Sequence, residues 1–310
     1  MNKIAVLLAT HNGERWLDEQ IRSVLQQEGV TIDVFAGDDG STDKSLEMLR
    51  DYSSKFANFH VVDFPDPSGS AARNFTRLLN SIDLEEYDYI SFCDQDDIWN
   101  VNKLNRASKS LASSGCDGYS APVEVFSNGK VIGVLNQSSK PRKFDFLFEG
   151  AGQGCTYVVT TRLARSFIDV INKNPEWIKG PYYHDWCIYT LSRVLEYRWY
   201  FDTKPVLLYR QHGLNDIGAK STLKGIFSRV SKIKSGWYSD RILHIYRLSH
   251  YVRNSDIDLE RFSEMAIRSK KTIFGRFAFL TLLALKSRRK LSDRLAVTIS
   301  EVFGYISRSF

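Results

Sequence analysis

The chain has 310 residues, enough for one large α/β domain with or without an appendage, and its composition is that of an ordinary globular protein. Its four cysteines form no CxxC pair, so we expect free thiols in a reducing cytosol. Its longest apolar run, Phe277–Leu285, has nine residues against the ~20 that span a bilayer, so we expect no membrane-spanning helix. The net charge of +6 is uneven, because residues 219–310 carry 19 Lys/Arg against 7 Asp/Glu; this predicts an acidic body that handles cations or polar ligands and a basic end that meets an anionic partner.

The first 115 residues alternate strand-like and helix-like segments. Four apolar runs predict buried strands, and residues at helical spacing follow them. The predicted strands are Ile4–Thr10, Ile32–Ala36, Phe59–Phe64 and Tyr89–Cys93, and the predicted helices cover Trp16–Leu25, a stretch from a Thr42 N-cap through Tyr52, and Ala71–Leu79. These β-then-α repeats predict a parallel, doubly wound sheet whose ligands bind beyond the carboxyl ends of the strands.

The second half of the chain has a different pattern. An Asn128-Gly129 turn between two apolar runs predicts a β-hairpin of Val123–Phe126 and Val131–Val134. Beyond Ala219 the pattern indicates basic, aromatic-rich helices. Between these regions we predict strands at Cys155–Val159 and Pro205–Tyr209 and helices at Arg162–Ile171 and Trp186–Leu195.

Three carboxylates, Asp94, Asp96 and Asp97, follow the fourth predicted strand directly. A D-x-D pair on such a loop suits a hard divalent cation, Mg²⁺ or Mn²⁺, which takes oxygen ligands and leaves positions for phosphate oxygens. The alternative is that Asp96 or Asp97 caps a helix through Leu104 and favours its dipole. Helix capping would account for one aspartate, whereas three aspartates within four consecutive positions indicate a metal site.

Two other strand-end loops carry candidate nucleotide contacts. Asp39, in GDDGSTD, is placed to accept a hydrogen bond from the imide N–H of uracil or thymine, although Gly40 and Thr42 would also suit a simple capped turn. Arg73, in GSAARN, follows small residues and is a candidate phosphate ligand; the alternative is a solvated helix residue.

Two motifs of the second half carry candidate catalytic side chains. Asp185 lies between aromatic residues at the start of a predicted helix, where a raised pKa would suit a general base and a plain N-cap is the alternative. His212 follows the last predicted strand and is either a metal or phosphate ligand or an ordinary surface histidine.

Taken together, six ordered motifs resemble those of the family 2 glycosyltransferases with the GT-A fold, and more narrowly the bacterial rhamnosyltransferases of O-antigen and cell-wall polysaccharide assembly. The motifs are ATHNGE, GDDGSTD, SGSAARN, CDQDDIW, HDW and YRQHG. The resemblance implies a doubly wound, mostly parallel sheet flanked by helices over residues 1–218, with a nucleotide-binding half (1–115), an acceptor-binding half (116–218) and a basic helical region at 219–310.

The resemblance also implies roles for individual residues. Asp185 would be the general base; Asp94, Asp96 and His212 would hold Mg²⁺ or Mn²⁺; His184, Trp186 and Arg210 would contact the acceptor or donor sugar. One departure is that Pro65–Gly69 replaces a longer glycine-rich stretch of many relatives, which weakens the assignment of Arg73 to phosphate. The implied nucleotide contacts are Thr10, His11, Asn12, Glu14, Asp39, Arg73, Asp94 and Gln95.

The implied activity is an inverting transfer from a nucleotide-diphosphate sugar, best matched by dTDP-L-rhamnose, to a glycan on a polyprenyl diphosphate. UDP-glucose, UDP-galactose or UDP-N-acetylhexosamine donors, and a non-catalytic sugar-binding protein, are the alternatives. A haloacid-dehalogenase-like phosphatase would need Thr or Val where this chain has Ile98, and three βα units come before the motif. The basic charge is confined to the C-terminal third without an RNP, zinc-finger or helix-turn-helix pattern, so we expect no nucleic-acid partner.

The basic end mixes Lys/Arg with aliphatic and aromatic residues at helical spacing, from Lys220 to Arg241 and from Ile273 to Lys290. This pattern suits helices that lie on an anionic membrane, and it predicts a cytoplasmic protein held peripherally on the inner face of the cytoplasmic membrane. The alternative is a set of packed helices with a solvated basic face.

Overall fold

The computed structural model describes residues 1–127, 129–178, 183–212, 235–253 and 256–310. The chain divides into two units, of which unit 1 comprises Met1–Ser138, Ala151–Ile188 and Tyr197–Gly218. Unit 2 comprises Ser139–Gly150, Tyr189–Glu196 and Ala219–Phe310. The predicted boundary at 218/219 and the basic stretch Lys220–Lys234 lie outside the described residues, as do residues 179–182 before the HDW motif.

The described residues include eleven strands in two sheets, all within unit 1. One sheet has the order β10-β6-β9-β4-β1-β2-β3, and the other has the order β5-β11-β7-β8. The strands are β1 Lys3–Thr10, β2 Thr31–Asp38, β3 Phe59–Val61, β4 Tyr89–Cys93, β5 Ile98–Trp99, β6 Gly118–Ser120, β7 Val123–Ser127, β8 Lys130–Leu135, β9 Val158–Thr160, β10 Trp199–Phe201 and β11 Leu207–Arg210.

The described helices pack against these sheets or form unit 2. They are α1 Glu14–Leu25, α2 Ser45–Lys55, α3 Ala71–Asn80, α4 Lys103–Ser114, α5 Asp145–Phe148, α6 Thr161–Lys173, α7 His184–Val194, α8 Trp237–Val252, α9 Ile257–Lys271, α10 Ile273–Lys286 and α11 Leu291–Val302.

The larger sheet is mostly parallel. β1 pairs in parallel with β2 and β4, and β2 pairs in parallel with β3, whereas β9 is antiparallel to β4 and β6. Every residue of β1 after Lys3 is buried, as expected for a strand covered on both faces. The predicted doubly wound, mostly parallel fold is therefore confirmed, and the carboxyl ends of β1, β2 and β4 meet at one edge.

The smaller sheet contains the predicted hairpin. β7 and β8 pair antiparallel, and Gly129 in the turn has a φ of 76°, a left-handed conformation that favours glycine. β11 pairs with β7 and with the two-residue β5, which places the end of β11 beside the acidic loop after β4.

Three local predictions differ from the structure. α2 begins at Ser45 rather than after Thr42, because the Asp43 carboxylate accepts hydrogen bonds from the Ser45 backbone N–H and hydroxyl at 2.9 and 2.6 Å. β3 ends at Val61 instead of Phe64, before two prolines that lack the N–H needed for a sheet ladder. Residues 154–156 form a single 3₁₀ turn, closed by a hydrogen bond from the Thr156 hydroxyl to the Gln153 carbonyl, so that strand begins only at Val158.

Unit 2 is helical and is held together by buried ion pairs. Asp145 accepts hydrogen bonds from the Tyr189 hydroxyl at 2.9 Å, from Arg289 at 3.2 Å and from Arg193. Glu149 binds the Arg288 side chain at 2.9 Å. These contacts explain why residues 139–150 and 189–196 group with the last third of the chain. Among the described residues, no helix is long and apolar enough to cross a bilayer.

Candidate active site

The loop after β1 is fixed to the ends of β2 and β4. Gln95 pairs with the His11 backbone in both directions, at 2.8 and 2.9 Å, and the His11 ring nitrogen Nδ1 lies 3.1 Å from the Asp39 carbonyl oxygen. Asn12 has a φ of 48° and accepts a hydrogen bond from the Thr42 backbone N–H at 2.8 Å. The structure therefore brings four predicted nucleotide contacts together: His11, Asn12, Asp39 and Gln95.

Thr10 and Glu14 lie at the two ends of the same loop. The Thr10 hydroxyl is buried and has no hydrogen-bond partner among the described residues. Glu14 accepts a hydrogen bond from the Lys44 backbone N–H at 3.1 Å, which joins the loop after β1 to the loop after β2. Both residues stay predicted nucleotide contacts.

Asp39 is held by a set of donors that the sequence only partly indicated. Its carboxylate accepts hydrogen bonds from the backbone N–H groups of Ser68 and Gly69, and Arg77 forms an ion pair with it at 3.0 Å. Arg73 instead donates to the carbonyl oxygens of Ile178 and Ser68, at 2.7 and 3.2 Å. Arg77 stands outside the motifs that the sequence pattern indicated, but its place one helical turn after Arg73 puts it on the same face of α3.

The D-x-D loop meets the end of β11. Asp96 Oδ2 lies 2.7 Å from His212 Nε2, and the His212 ring stacks on Trp16 with 4.0 Å between ring centroids. Arg210 donates its Nε–H to the Asp96 carbonyl oxygen at 2.8 Å and its backbone N–H to Asp97 at 3.2 Å. Two side chains predicted as metal ligands from separate motifs, Asp96 and His212, are thus in direct contact.

A buried charge cluster lies beneath this loop. Burial, and then the neighbouring Asp96 charge, raise the pKa of Asp97 to about 7, and its Oδ2 has no hydrogen-bond partner among the described residues. One ligand atom each of Asp94, Asp97 and Cys155 lies within 4.8 Å of the others. Lys103 is fully buried nearby; desolvation lowers its pKa to about 7, and it donates to the Ser91 hydroxyl at 3.2 Å.

The HDW motif places two differently charged groups side by side. His184 is buried against Phe75 and Phe92, its Nε2 has no hydrogen-bond partner among the described residues, and desolvation lowers its pKa to about 3, so the ring is neutral. Asp185 is partly buried, and burial raises its pKa to about 6 although it accepts a hydrogen bond from the Trp186 N–H at 2.7 Å. Trp186 is itself buried.

Gly154 approaches Asp185 and His184 closely, because it has no side chain. A Cβ atom at this position would lie 3.1 Å from Asp185 Cβ, 3.3 Å from His184 Nε2 and 3.4 Å from Asp185 Oδ2. The sequence signal for this close approach is the pair Gly152 and Gly154 just before a strand.

The chain is similar in sequence to known glycosyltransferases. The sequence model of Glycosyl transferase family 2 matches residues 5–170. The dTDP-rhamnosyl transferase RfbG of Shigella flexneri is 35% identical over 239 residues, which cover 77% of this chain and 83% of RfbG. The UDP-Glc:alpha-D-GlcNAc-diphosphoundecaprenol beta-1,3-glucosyltransferase WfgD of Escherichia coli is 23% identical over 161 residues, covering 51% and 60% of the two chains.

Solved structures share the fold at low sequence identity. S. aureus TarS in complex with UDP-GlcNAc superposes with a TM-score of 0.55 at 17% identity, covering 91% of this chain and 80% of that one. A longer TarS structure gives a TM-score of 0.57 at 15% identity and covers 98% and 54%. These likenesses support the fold alone.

Proposed function

Because this chain belongs to glycosyl transferase family 2, we propose that it is an inverting rhamnosyltransferase that moves L-rhamnose from dTDP-L-rhamnose to a hydroxyl of a lipid-linked glycan. The relative RfbG supports the donor, and the diphosphoundecaprenol substrate in the name of WfgD supports the acceptor class. Such an acceptor places the protein at the inner face of the cytoplasmic membrane, in the assembly of a surface polysaccharide.

One observation carries the reaction: Asp185, with its raised pKa, lies in the first turn of α7 beside the neutral His184 ring, with Gly154 packed close to its side chain. A carboxylate with a pKa of about 6 is ionised at neutral pH and is more basic than an ordinary aspartate. It would take the proton from the acceptor hydroxyl as that oxygen attacks the anomeric carbon. The bond from that carbon to the nucleoside diphosphate breaks on the opposite side, which inverts the centre.

Asp39 supports a pyrimidine base in the donor. Two backbone N–H groups and Arg77 occupy three of the roughly four acceptor positions of its carboxylate, which leaves one on Oδ2 for the imide N–H of thymine or uracil. Arg77 also holds the Asp39 side chain in place. The neighbouring backbone of His11 and Asn12 would line the same pocket.

Asp96 and His212 fit a divalent cation. A carboxylate oxygen and an imidazole nitrogen 2.7 Å apart are donors that Mn²⁺ accepts, and Mg²⁺ would use the carboxylates of the D-x-D loop. A cation bound there supplies charge neutralisation for the diphosphate leaving group. Arg210 holds the Asp96 backbone, so it would keep this ligand oriented.

The test is a transfer assay with a short acceptor, comparing dTDP-L-rhamnose with UDP-glucose, each with Mn²⁺ or EDTA. We expect transfer from dTDP-L-rhamnose that EDTA and Asp96→Asn each reduce by about a hundredfold or more, whereas the exposed control Asp63→Asn stays at the wild-type rate. Transfer from UDP-glucose alone would replace the donor assignment. Full activity in EDTA would remove the metal from the proposal, and no transfer from any nucleotide sugar would favour a sugar-binding protein.

A further inference from the structure

Helices α10 and α11 carry an exposed apolar face. The two helices are antiparallel neighbours, because Arg276 near the start of α10 donates to the Val302 carbonyl and Arg294 on α11 donates to the Leu285 carbonyl at 3.2 Å. On α10, Ile273, Phe274 and Phe277 are 90%, 82% and 70% exposed. Exposed apolar residues also recur along one side of α11 and just beyond it, at Leu291, Leu295, Ile299, Val302 and Phe303.

The surface around this face is rich in cations. Residues 264–310 contain seven exposed Lys/Arg and one exposed acidic side chain, Glu264, which lies 4.0 Å from Arg268. Asp293 is partly buried 3.7 Å from Arg288, and Glu301 is buried. The exposed cations are Arg268, Lys270, Lys271, Arg276, Lys286, Lys290 and Arg308.

A cavity of about 380 Å³ lies within unit 2 at the end of the hairpin that carries Phe274 and Val302. Lys270, Arg276 and Arg308 line it. Glu301 also lines it, but its carboxylate accepts hydrogen bonds from the backbone N–H groups of Ile306 and Ser307, at 3.2 and 2.9 Å. Three cations against one internally bonded carboxylate make the cavity suitable for a phosphate group.

We propose that the α10–α11 face is the membrane-binding surface of the protein, with its apolar side chains inserted among lipid chains and the Lys270–Arg276–Arg308 cavity holding the phosphate of an anionic lipid headgroup. α10 has 14 residues and is therefore ~21 Å long, short of the ~30 Å hydrocarbon core, so it would lie in the interface. The inference deepens the proposed function and rests on it only for the lipid-linked acceptor.

The positive charge around the α10–α11 face distinguishes between two candidate partners for that face, a bilayer and a second copy of the chain. Two copies joined through this face would bring two rims of like charge together, which is unfavourable. An anionic bilayer complements both parts of the surface, since it offers hydrocarbon to the phenylalanines and phosphates to the cations.

The experiment is flotation of the full-length protein with phosphatidylcholine vesicles, with and without 30% phosphatidylglycerol. We expect binding to the anionic vesicles only, weakened about tenfold or more by Phe274→Ser with Phe277→Ser, and several-fold by Lys270→Gln with Arg276→Gln. The control variants Phe56→Ser and Lys109→Gln, at exposed positions of unit 1, should bind as the wild type does. Leu295→Ser with Ile299→Ser repeats the apolar test on α11.

Three results would overturn the inference. The first is wild-type flotation of both apolar double variants while they remain folded. The second is a concentration-dependent dimer that is lost in those variants, which would assign the face to a second copy. The third is stabilisation of the protein by millimolar inorganic phosphate with no vesicle binding, which would make the cavity a site for a free anion.

A transfer assay with a lipid-free acceptor separates this inference from the proposed function. We expect the apolar variants to keep wild-type transfer to that acceptor while they lose vesicle binding. A wild-type protein that binds vesicles but transfers no sugar would contradict the proposed function and leave the membrane surface in place.

Discussion

Asp145 in unit 2 and Asp97 in unit 1 are both almost fully buried, but they are bonded differently. Both oxygens of Asp145 accept hydrogen bonds, from Arg193 on one side and from Tyr189 and Arg289 on the other. Asp97 has one oxygen without a partner among the described residues, and a second carboxylate, Asp96, lies beside it. A buried carboxylate with all its partners holds a structure together, whereas one that lacks them indicates a place where a ligand supplies the missing charge.

Among residues of the candidate active site, Asp185 should give the largest loss of transfer activity when it is substituted. Asp185→Asn removes the base without changing the size of the side chain, so transfer should fall by about 10²–10⁴-fold while donor binding is retained. In the wild type, kcat/KM should rise with pH through about 6 and then level off, because only the ionised carboxylate accepts the proton. Steady-state rates across pH and donor titrations measure both.

The exposed control Asp169→Asn should keep the wild-type rate and pH profile. Unchanged transfer in Asp185→Asn would show that this carboxylate only stabilises the first turn of helix α7.

The substitution Asp145→Ala tests whether the buried ion pairs hold unit 2 together. Asp145→Ala leaves the buried guanidinium groups of Arg193 and Arg289 without their carboxylate, so the free energy of unfolding should fall by about 3–5 kcal/mol. Urea unfolding followed by circular dichroism measures this loss. A stability within about 0.5 kcal/mol of the wild type, the usual scatter of surface substitutions, would show that the ion-pair network does not hold unit 2 together.

Substitution of Asp97 should give the smallest change in the free energy of unfolding, and this change should be a gain instead of a loss. Its pKa is raised to about 7, so below that pH the folded state holds a proton that an unfolded carboxyl, with a pKa of about 4, releases. Stability from this group is therefore lost as the pH rises from about 4 to about 7. Asp97→Asn removes this loss of stability. Between about pH 5 and pH 8, the free energy of unfolding of the variant should therefore fall by about 2 kcal/mol less than that of the wild type. An identical pH dependence in the two proteins would contradict this.

The sheet could be predicted because its central strands carry their own pattern. β1 and β4 are continuous apolar runs, and the polar residues that follow them must lie at the same edge once the strands are parallel. The contact between Asp96 and His212, 116 residues apart along the chain, depends instead on the pairing of β11 with the two-residue β5 in the smaller sheet.

Other features depend on tertiary contacts that leave no local pattern. β5, β6 and β10 have two or three residues, too few to show a period. A lysine at the start of a helix predicts exposure to solvent, and the burial of Lys103 is set by its contacts with Ser91 and the Trp99 ring. Likewise, the partners of Asp145 lie up to 144 residues away.

That separation affects how the protein is made on the ribosome. Asp145 and Glu149 leave the exit tunnel long before Arg288 and Arg289 have been synthesised, and at roughly 5–20 residues per second the delay is on the order of ten to thirty seconds. During this interval the carboxylates of Asp145 and Glu149, which are buried in the folded protein, remain hydrated, while strands of unit 1 that have already been synthesised can pair. The second unit therefore becomes complete only after Arg288 and Arg289 have been synthesised, and a nascent chain stalled before them would leave Asp145 and Glu149 without these partners.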